Sequence, residues 1–593
     1  MNVINKLFKI AVTFLILVSL SCSRSFLEPE PLSFFTPENV FVNEEGFESQ
    51  LITLRKDLNR EHTGQKNFIA HQWAASEAGV PWLQMDFTRL TPNTDTYQQF
   101  VNQINDIFTM VRNANTIISR IDDIEWSDEE IKNRILAEAL WFRSYWYYRL
   151  IGNYGDLPFV QEEVRSARID FNTHSRWAIL DKLQTDMEFA VEWMPASAAA
   201  GVPTKGAGDH LLTKIYLANM EFKKAVESAT RVINGPYELM QDRFGKDVSD
   251  PTKNVIWDLH RPDNKNLSQN TENILAFVDR WEAPSEARSE GLFTMRVYHT
   301  SFFNSANNKD KEGNPGMIDS GPLYDSLGRG NPDVALTDYH SYTIWEHKSY
   351  DYLTTPDLRR ADINWFDRHE LLYNNPESSQ YGEVLDPKNL DNPNEYFIRI
   401  FAMPIYKTYV PNKTDQTGFP MGSNGDWYIY RLAETYLLRA EAYFWLGQTG
   451  PAAQDINTVR ERAQAPVINA GDVTIDFIFD ERARELFAEE PRQNELNRVS
   501  YILAAREEEG YSLENLHQNN WFYDRVKNLN NVYDHYDDLN FLGMSPRIEP
   551  YHFQWPIDDD IITVNTMGRI NQNKGYVGSE NNIPPLETIS EED

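Results

Sequence analysis

The sequence IKNRILAEALWFRSYWYYRLIGNYGDLPFV spans residues 131–160 and decides the fold of the chain. Its large apolar side chains recur at three- and four-residue steps, a period that places them on one face of an α-helix. A second, aromatic face lies beside the first, and together they predict a helix that is buried on several sides. Gly152 and Gly155, followed by Asp156-Leu157-Pro158, are expected to end this helix.

Two polar features accompany this buried helix. Ser127 and the acidic residues after it predict a capping box, in which a hydroxyl and a carboxylate bond the free amides of the first turn. Arg143 lies on the apolar face of the predicted helix. Because an unpaired buried charge is costly, we expect a buried acidic partner for its guanidinium.

The segments around this helix differ in their periodicity. Residues 43–58, 101–121 and 173–193 predict further amphipathic helices. Residues 61–97 carry Gly, Pro, Asn and Thr among aromatic residues, and they predict a long loop. Long ordered loops in compact proteins are usually functional, so this segment is a candidate for ligand binding.

Two distant segments match the spacing of a tetratricopeptide helix pair. The first match comprises Leu212, Tyr216, Ala225, Ala229 and Val232, and the second comprises Tyr436, Ala440, Tyr443, Ala452, Ile456 and Val459. Small residues at these positions let two antiparallel helices approach closely. The two matches predict a mainly α fold, with a tetratricopeptide-like helical-repeat scaffold.

Composition limits the class of partner. The chain has 593 residues, of which 41% are hydrophobic, so it can bury a large core. It has 56 Lys and Arg against 89 Asp and Glu, a net charge of −33, which would repel a phosphate backbone and argues against nucleic acid. The 15 Trp and 29 Tyr residues suggest a stacking surface, although most of these rings are expected in the core.

The first 21 residues predict a targeting segment. Lys6 and Lys9 precede an apolar run that is too short to span a membrane and typical of a secretory signal. Small residues then lead to Cys22, the only cysteine of the chain, as in a lipoprotein processing site. We therefore expect lipid attachment at Cys22 and a chain that is anchored to a membrane without crossing it. A plain signal peptide with an incidental cysteine is the alternative.

Several motifs of the chain resemble the SusD/RagB family. They are Ala137-Glu138-Ala139, Phe142-Arg143-Ser144-Tyr145, Tyr154-Gly155-Asp156-Leu157-Pro158, Tyr430-Arg431-Leu432-Ala433-Glu434, Glu481-Arg482-Ala483-Arg484-Glu485-Leu486, Trp555-Pro556-Ile557 and Asn571-Gln572-Asn573-Lys574-Gly575-Tyr576. Proteins of that family are surface lipoproteins of Bacteroidetes-type bacteria. The resemblance implies capture of oligo- or polysaccharide on the extracellular face of the outer membrane, beside a SusC-like TonB-dependent transporter.

These patterns divide the chain into five segments. Residues 1–21 are the signal peptide, 22–38 a tether, 39–235 an N-terminal helical-repeat part, 236–426 a loop-rich insertion, and 427–593 a C-terminal helical-repeat part with a closing segment. The insertion is rich in Asn, Asp, Pro, Tyr and Trp, and its weak periodicity predicts loops, short helices and a few short strands. In the resembled family, ligand-binding residues lie on such loops and on the early loop.

Aromatic residues of these two segments are the candidate ligand-binding residues, because sugars stack their C–H faces on aromatic rings. The candidates are Trp73, Trp82, Trp281, Tyr298, Tyr324, Tyr339, Trp345 and Trp365. For each ring, anchoring of a loop in the core is the competing interpretation.

No catalytic signature is present in the sequence. It lacks HExxH, GxSxG, Walker and Rossmann motifs, and its 12 histidines show no metal-ligand spacing. We expect a binding protein that needs no cofactor and no metal, and we interpret Asp558-Asp559-Asp560 as a solvated turn. The alternatives are an all-α glycoside hydrolase or lyase with two facing carboxylates, a peptide-binding RagB-like protein, and a periplasm-facing repeat scaffold.

Overall fold

The computed structural model describes residues 36–82, 84–304, 306–392, 396–535 and 543–590. The predicted signal peptide, Cys22 and tether residues 22–35 lie outside this part of the chain. The helices are α1 (Pro37–Val40), α2 (Glu44–Asp57), α3 (Phe68–Ala74), α4 (Gln98–Val101), α5 (Gln103–Arg120), α6 (Glu129–Tyr154), α7 (Arg176–Trp193), α8 (Lys205–Ala218), α9 (Phe222–Ile233), α10 (Val255–His260), α11 (Thr294–Val297), α12 (Pro322–Leu327), α13 (Asp338–Ser341), α14 (Tyr396–Arg399), α15 (Ile405–Thr408), α16 (Leu432–Trp445), α17 (Thr449–Arg462), α18 (Ile475–Leu486), α19 (Arg492–Ala505), α20 (Trp521–Leu529) and α21 (Asp559–Val564).

Helix α6 lies at the centre of the helical part, as its sequence predicts. It packs against α5, α7 and α19, and nearly all side chains of its second half are buried. Arg143 has the expected acidic partner, because its Nη2 lies 2.7 Å from Oδ2 of Asp186 on α7 and both side chains are buried. This pair connects two helices of the frame inside the core.

Both predicted repeat pairs are present. Helices α8 and α9 form the first pair, and α16 and α17 form the second. Ala225, Ala229, Ala440 and Ala452 are fully buried, as small residues at a close helix contact should be. Helix α9 packs directly on α16, so the two pairs form one continuous scaffold although about two hundred residues separate them. The mainly α, tetratricopeptide-like fold is confirmed.

Four short strands form two small antiparallel sheets. They are β1 (Gly79–Val80), β2 (Asn273–Phe277), β3 (Ala335–Leu336) and β4 (Trp427–Arg431). Strand β1 pairs with β3, which joins the early segment to the insertion. Strand β2 pairs with β4, which leads directly into α16. Between the two repeat pairs the described chain otherwise consists of loops and helices of three to six residues, as its weak periodicity predicts.

A buried network of ion pairs links the insertion to the C-terminal repeat pair. Arg431 contacts Glu272, Glu485 and Glu489 through its guanidinium. Arg462 contacts the same Glu272 and Glu485. Burial acts to raise the pKa of Glu485, but these arginines lower that pKa well below its usual value. The Glu and Arg residues of the C-terminal helices therefore serve packing.

Two local expectations are wrong. The N-cap of α6 is Asp128, which accepts from the amide of Glu130, whereas Ser127 donates to Glu44. Gly152 lies inside α6, where a Cβ atom would come within 2.3 Å of Nδ2 of Asn494, so it permits a close helix contact and does not end the helix. Gly155 alone ends α6, with a φ of +68°.

The early segment is also more regular than predicted. Residues 61–97 contain α3, all seven residues of which are buried, because its aromatic and apolar side chains pack against α19. Asn67 caps this helix by accepting from the amide of Ala70 at 2.8 Å. In the described part of the chain, no helix is long and apolar enough to cross a membrane.

Candidate functional site

Seven of the eight candidate rings are buried. Exposed fractions are 8% or less for Trp73, Trp82, Tyr298, Tyr324, Tyr339, Trp345 and Trp365. Their polar edges are mostly bonded inside the protein: the indole nitrogens of Trp73, Trp345 and Trp365 donate to backbone carbonyls at 2.8–3.0 Å. The structure therefore places these rings as anchors of the loops, and they present no open stacking face.

Two of the buried rings illustrate how tertiary contacts hold them. Tyr339 donates from its hydroxyl to Oδ1 of Asp480 at 2.5 Å and accepts from Arg525 at 2.7 Å. The guanidinium of Arg399 lies 4.5 Å from the ring centroid of Trp82. Asp480, Arg525 and Arg399 are all far in sequence from the rings that they contact, so no local pattern indicated this burial.

Trp281 differs from the other seven candidates, because its ring is partly exposed. The indole nitrogen donates to Oδ1 of Asp415 at 2.8 Å, and the guanidinium of Arg288 lies 4.2 Å from the ring centroid. Asp415 belongs to the loop formed by residues 411–422. This loop therefore contacts Trp281 through Asp415.

The same loop carries a second exposed ring. Phe419 is 50% exposed, and the guanidinium carbon of Arg329 lies 3.8 Å from its ring centroid. Arg329 also lies 5.7 Å from the ring of Phe303, which packs edge-to-face on Tyr324 at 5.8 Å. Arg296 donates to the backbone carbonyl of Arg329 at 3.3 Å. We call Arg296, Phe303, Tyr324, Arg329 and Phe419 the arginine–aromatic patch.

Backbone hydrogen bonds hold the loop against this patch. The amide of Arg329 donates to the carbonyl of Pro420 at 2.8 Å, and the amide of Arg296 donates to the carbonyl of Met421 at 3.0 Å. Within the loop, Nδ2 of Asn412 donates to the carbonyl of Phe419 at 3.0 Å. The exposed ring is therefore positioned before any ligand arrives, which reduces the entropic cost of binding.

The patch has polar groups without partners. Neither Arg296 nor Arg329 forms an ion pair with any residue that the structure describes, and the buried hydroxyl of Tyr324 has no hydrogen-bond partner there. Partial burial and the neighbouring Arg329 lower the pKa of Arg296. Burial raises the pKa of the nearby Asp333 to about 7, although Arg296 and Lys66 oppose this rise.

The early segment contacts the insertion close to this patch. The amide of Gly64 donates to the carbonyl of Gly291 at 2.8 Å, and Nζ of Lys56, on α2 just before this segment, donates to the carbonyl of Glu286 at 3.2 Å. Gln65 bonds Asp333, the carboxyl that interacts with Arg296. The two segments with the composition of ligand loops thus meet in the fold.

Sequence reasoning named Trp281 and Tyr324 but missed Phe303, Phe419 and both arginines. One available signal was the sequence Gly418-Phe419-Pro420, in which an aromatic residue lies between two residues that favour turns. Such a ring has few neighbours along the chain to cover it. Within the described residues, no cluster of His, Cys, Asp and Glu could hold a metal ion, and Asp558 serves as the N-cap of α21.

Two family models match the chain. Residues 281–576 match the model described as "SusD family", and residues 26–217 match the model described as "Starch-binding associating with outer membrane". The chain belongs to the SusD family. The resemblance that the sequence motifs carry is confirmed.

Individual relatives are distant, and they match different shares of the chain. SusD-like protein P25 of Formosa agariphila is 21% identical, and the match covers 94% of this chain and 96% of the relative. SusD-like protein P2 of the same organism is 25% identical, but the match spans only 38% of this chain and 46% of P2. The solved structure of surface glycan-binding protein A from Bacteroides thetaiotaomicron in complex with laminarihexaose is 15% identical, with a TM-score of 0.58 over 90% of this chain and all of that chain. That protein and this one have the same fold.

Proposed function

We propose that the protein is a cell-surface lipoprotein that binds an oligo- or polysaccharide and delivers it to a SusC-like TonB-dependent transporter of the outer membrane. Membership of the SusD family and the fold shared with a laminarihexaose-bound protein support the binding of a glycan. The description of the second family model supports association with the outer membrane. In this proposal, a lipid attached to Cys22 anchors the protein to the extracellular face of that membrane.

The observation that carries this proposal is the stack of Arg329 on the exposed ring of Phe419. An exposed aromatic ring offers the C–H face of a sugar an apolar surface. The guanidinium groups of Arg296 and Arg329, which form no ion pair among the described residues, can then donate to the hydroxyl or ring oxygens at the edge of that sugar. The patch thus provides both types of contact that a saccharide needs.

Trp281 is a second aromatic residue at loop 411–422, which it contacts through Asp415. Two rings held by one loop suit a chain of several sugar units better than a single sugar. Each exposed ring buries little area, so we expect a dissociation constant of about micromolar to millimolar.

The experiment is a binding titration of the purified soluble protein with a panel of oligosaccharides that includes laminarihexaose, followed calorimetrically. We expect at least one glycan to bind, and Phe419→Ala and Trp281→Ala to weaken that binding. The same mixtures are assayed for new reducing ends, and none is expected. New reducing ends would support the glycoside hydrolase or lyase alternative. Binding of peptides alone would support the RagB-like alternative.

A separate experiment addresses the transporter. The lipoprotein is purified from its native membranes in mild detergent, and the material that accompanies it is identified. A TonB-dependent transporter in stoichiometric amount is expected. A protein that purifies alone under several mild detergents would contradict delivery to such a transporter.

A further inference from the structure

A cavity of about 420 Å³ lies in the helical part of the protein, apart from the arginine–aromatic patch. It is bounded by the end of α6, the start of α7, α19, and residues 571–587 of the closing segment. Its volume is in the range of small-molecule sites. None of the eight candidate rings lines it.

Arg176, the first residue of α7, is the unusual group of this cavity. Its side chain is buried with 3% exposure, yet its guanidinium makes no hydrogen bond and no ion pair with any described residue. The guanidinium carbon lies 4.0 Å from the ring centroid of Tyr501 and 4.8 Å from that of Trp177. A buried cation held only by aromatic faces keeps unsatisfied donors, which is costly unless a ligand supplies acceptor oxygens.

The acidic residues of the cavity are already bonded. Asp156 accepts from the backbone amide of Arg176 at 2.8 Å through Oδ1. Glu587 accepts from the hydroxyl of Ser175 at 2.7 Å. Neither carboxylate forms an ion pair with the guanidinium of Arg176 within the described chain. The start of α7 adds the partial positive charge of a helix N-terminus to this side of the cavity.

Three further side chains of the cavity can contact the C–H groups and the hydroxyl groups of a sugar. Trp177 is half-buried at the cavity wall, so part of its ring can meet C–H groups. Lys574 and His517 line the cavity and have no hydrogen bond or ion pair among the described residues. Burial lowers the pKa of His517, so its neutral ring can donate to one hydroxyl and accept from another at neutral pH.

We propose that this cavity binds a carboxylate-bearing monosaccharide, a hexuronate, whose carboxylate bonds the guanidinium of Arg176 and whose ring packs against Trp177. Lys574 and His517 bond the hydroxyl groups. The carboxylate removes the cost of the unpaired buried cation, and charge-assisted hydrogen bonds of this kind are about twice as strong as neutral ones. The site is independent of the patch that carries the proposed function.

The test compares three probes at constant ionic strength: sodium glucuronate, glucose and sodium acetate. Binding is measured by calorimetric titration of the soluble protein and by saturation-transfer NMR. We expect glucuronate to bind with a millimolar dissociation constant, and glucose and acetate to bind at least about tenfold more weakly, because each lacks one half of the contacts.

Variants locate the site. Arg176→Met should weaken glucuronate binding at least about tenfold, and Trp177→Leu should weaken it about threefold or more. Tyr381→Ala alters an exposed ring in neither site and should leave glucuronate binding unchanged. Thermal unfolding reports whether each variant folds. Because the guanidinium of Arg176 forms no hydrogen bond or ion pair within the described chain, its replacement by a side chain of similar length should not unfold the protein.

Several results would overturn the proposal. With the wild type, these are no binding of glucuronate, or binding of glucuronate that is no tighter than that of glucose or of acetate. With a folded Arg176→Met variant, it is unchanged binding of glucuronate. If Arg176→Met does not fold, unchanged binding by Trp177→Leu overturns the proposal in its place.

Discussion

Arg431 and Glu272 form a fully buried ion pair, with 2.5 Å between Nη1 and Oε1. Glu272 immediately precedes β2 of the insertion, and Arg431 ends β4 at the start of the C-terminal repeat pair. Oε2 of Glu272 also lies 2.7 Å from Nη1 of Arg462. A single carboxylate therefore contacts two buried arginines and ties the insertion to the scaffold.

Replacement of this carboxylate should destabilise the protein strongly. Glu272→Gln keeps the shape of the side chain but leaves Arg431 and Arg462 with one counter-charge fewer in the core. We expect a loss of about 3–5 kcal/mol in the free energy of unfolding, measured by urea denaturation.

An exposed pair provides the matched control. Asp106 lies 2.8 Å from Arg60, and both side chains are at least 40% exposed. Asp106→Asn should change the free energy of unfolding by less than about 1 kcal/mol. Equal effects of the two variants would show that the buried network does not hold the insertion in place.

Asp333 should make stability depend on pH. Burial raises its pKa from 3.8 to about 7 in the folded state. Between these values the folded protein keeps a proton that the unfolded chain releases, so the contribution of this group to stability falls as pH rises. Asp333→Asn removes this loss of stability, because the amide does not titrate. We expect the variant to melt higher than wild type at about pH 8, and the difference to shrink towards about pH 4.

A melting difference that grows towards about pH 4 would contradict the raised pKa of Asp333. A difference between Asp333→Asn and wild type that is constant with pH would mean that the carboxyl has an ordinary pKa. Glu485, whose pKa is lowered, acts in the reverse direction, since its stabilising effect is lost only as pH falls below its usual value. Both proteins contain Glu485, so its effect cancels in the comparison.

The frame could be predicted from sequence because its signal is local. The period of α6 and the small residues Ala225 and Ala452 mark buried helix faces within a few turns of chain. Ring exposure has no such local signal. Trp365 and Phe419 both occur in loop sequences, yet the first packs against Trp345 and the second remains open, because residues far away in the chain cover only one of them.

The contact between paired helices gives a test of the repeat scaffold. Ala452 is fully buried on α17, where it packs in the contact with α16. Ala452→Trp should overpack this contact and lower the free energy of unfolding by about 1–3 kcal/mol. Gln454→Trp, on the exposed face of the same helix, should change it by less than about 0.5 kcal/mol. Similar melting of both variants would count against close helix packing at Ala452.

Membrane attachment should depend on one atom, the sulfur of Cys22. It is the only thiol in the chain, and it directly follows the apolar part of the signal segment. Cys22→Ala should release the protein from membranes into the soluble fraction and abolish labelling with a radioactive fatty acid. A variant that remains in the membrane fraction and stays labelled would contradict attachment at this residue.

The exposed ring of Phe419 should matter for binding and not for stability. Half of its surface is open, and its main contact is the guanidinium of Arg329. Phe419→Ala should weaken glycan binding about threefold to tenfold, the contribution of one aromatic contact, and change the free energy of unfolding by less than about 0.5 kcal/mol. Trp365→Ala is the matched comparison, since the same truncation of a buried ring should cost about 3–5 kcal/mol of stability. A folded Phe419→Ala that binds every glycan ligand as wild type does would place the saccharide site away from the arginine–aromatic patch.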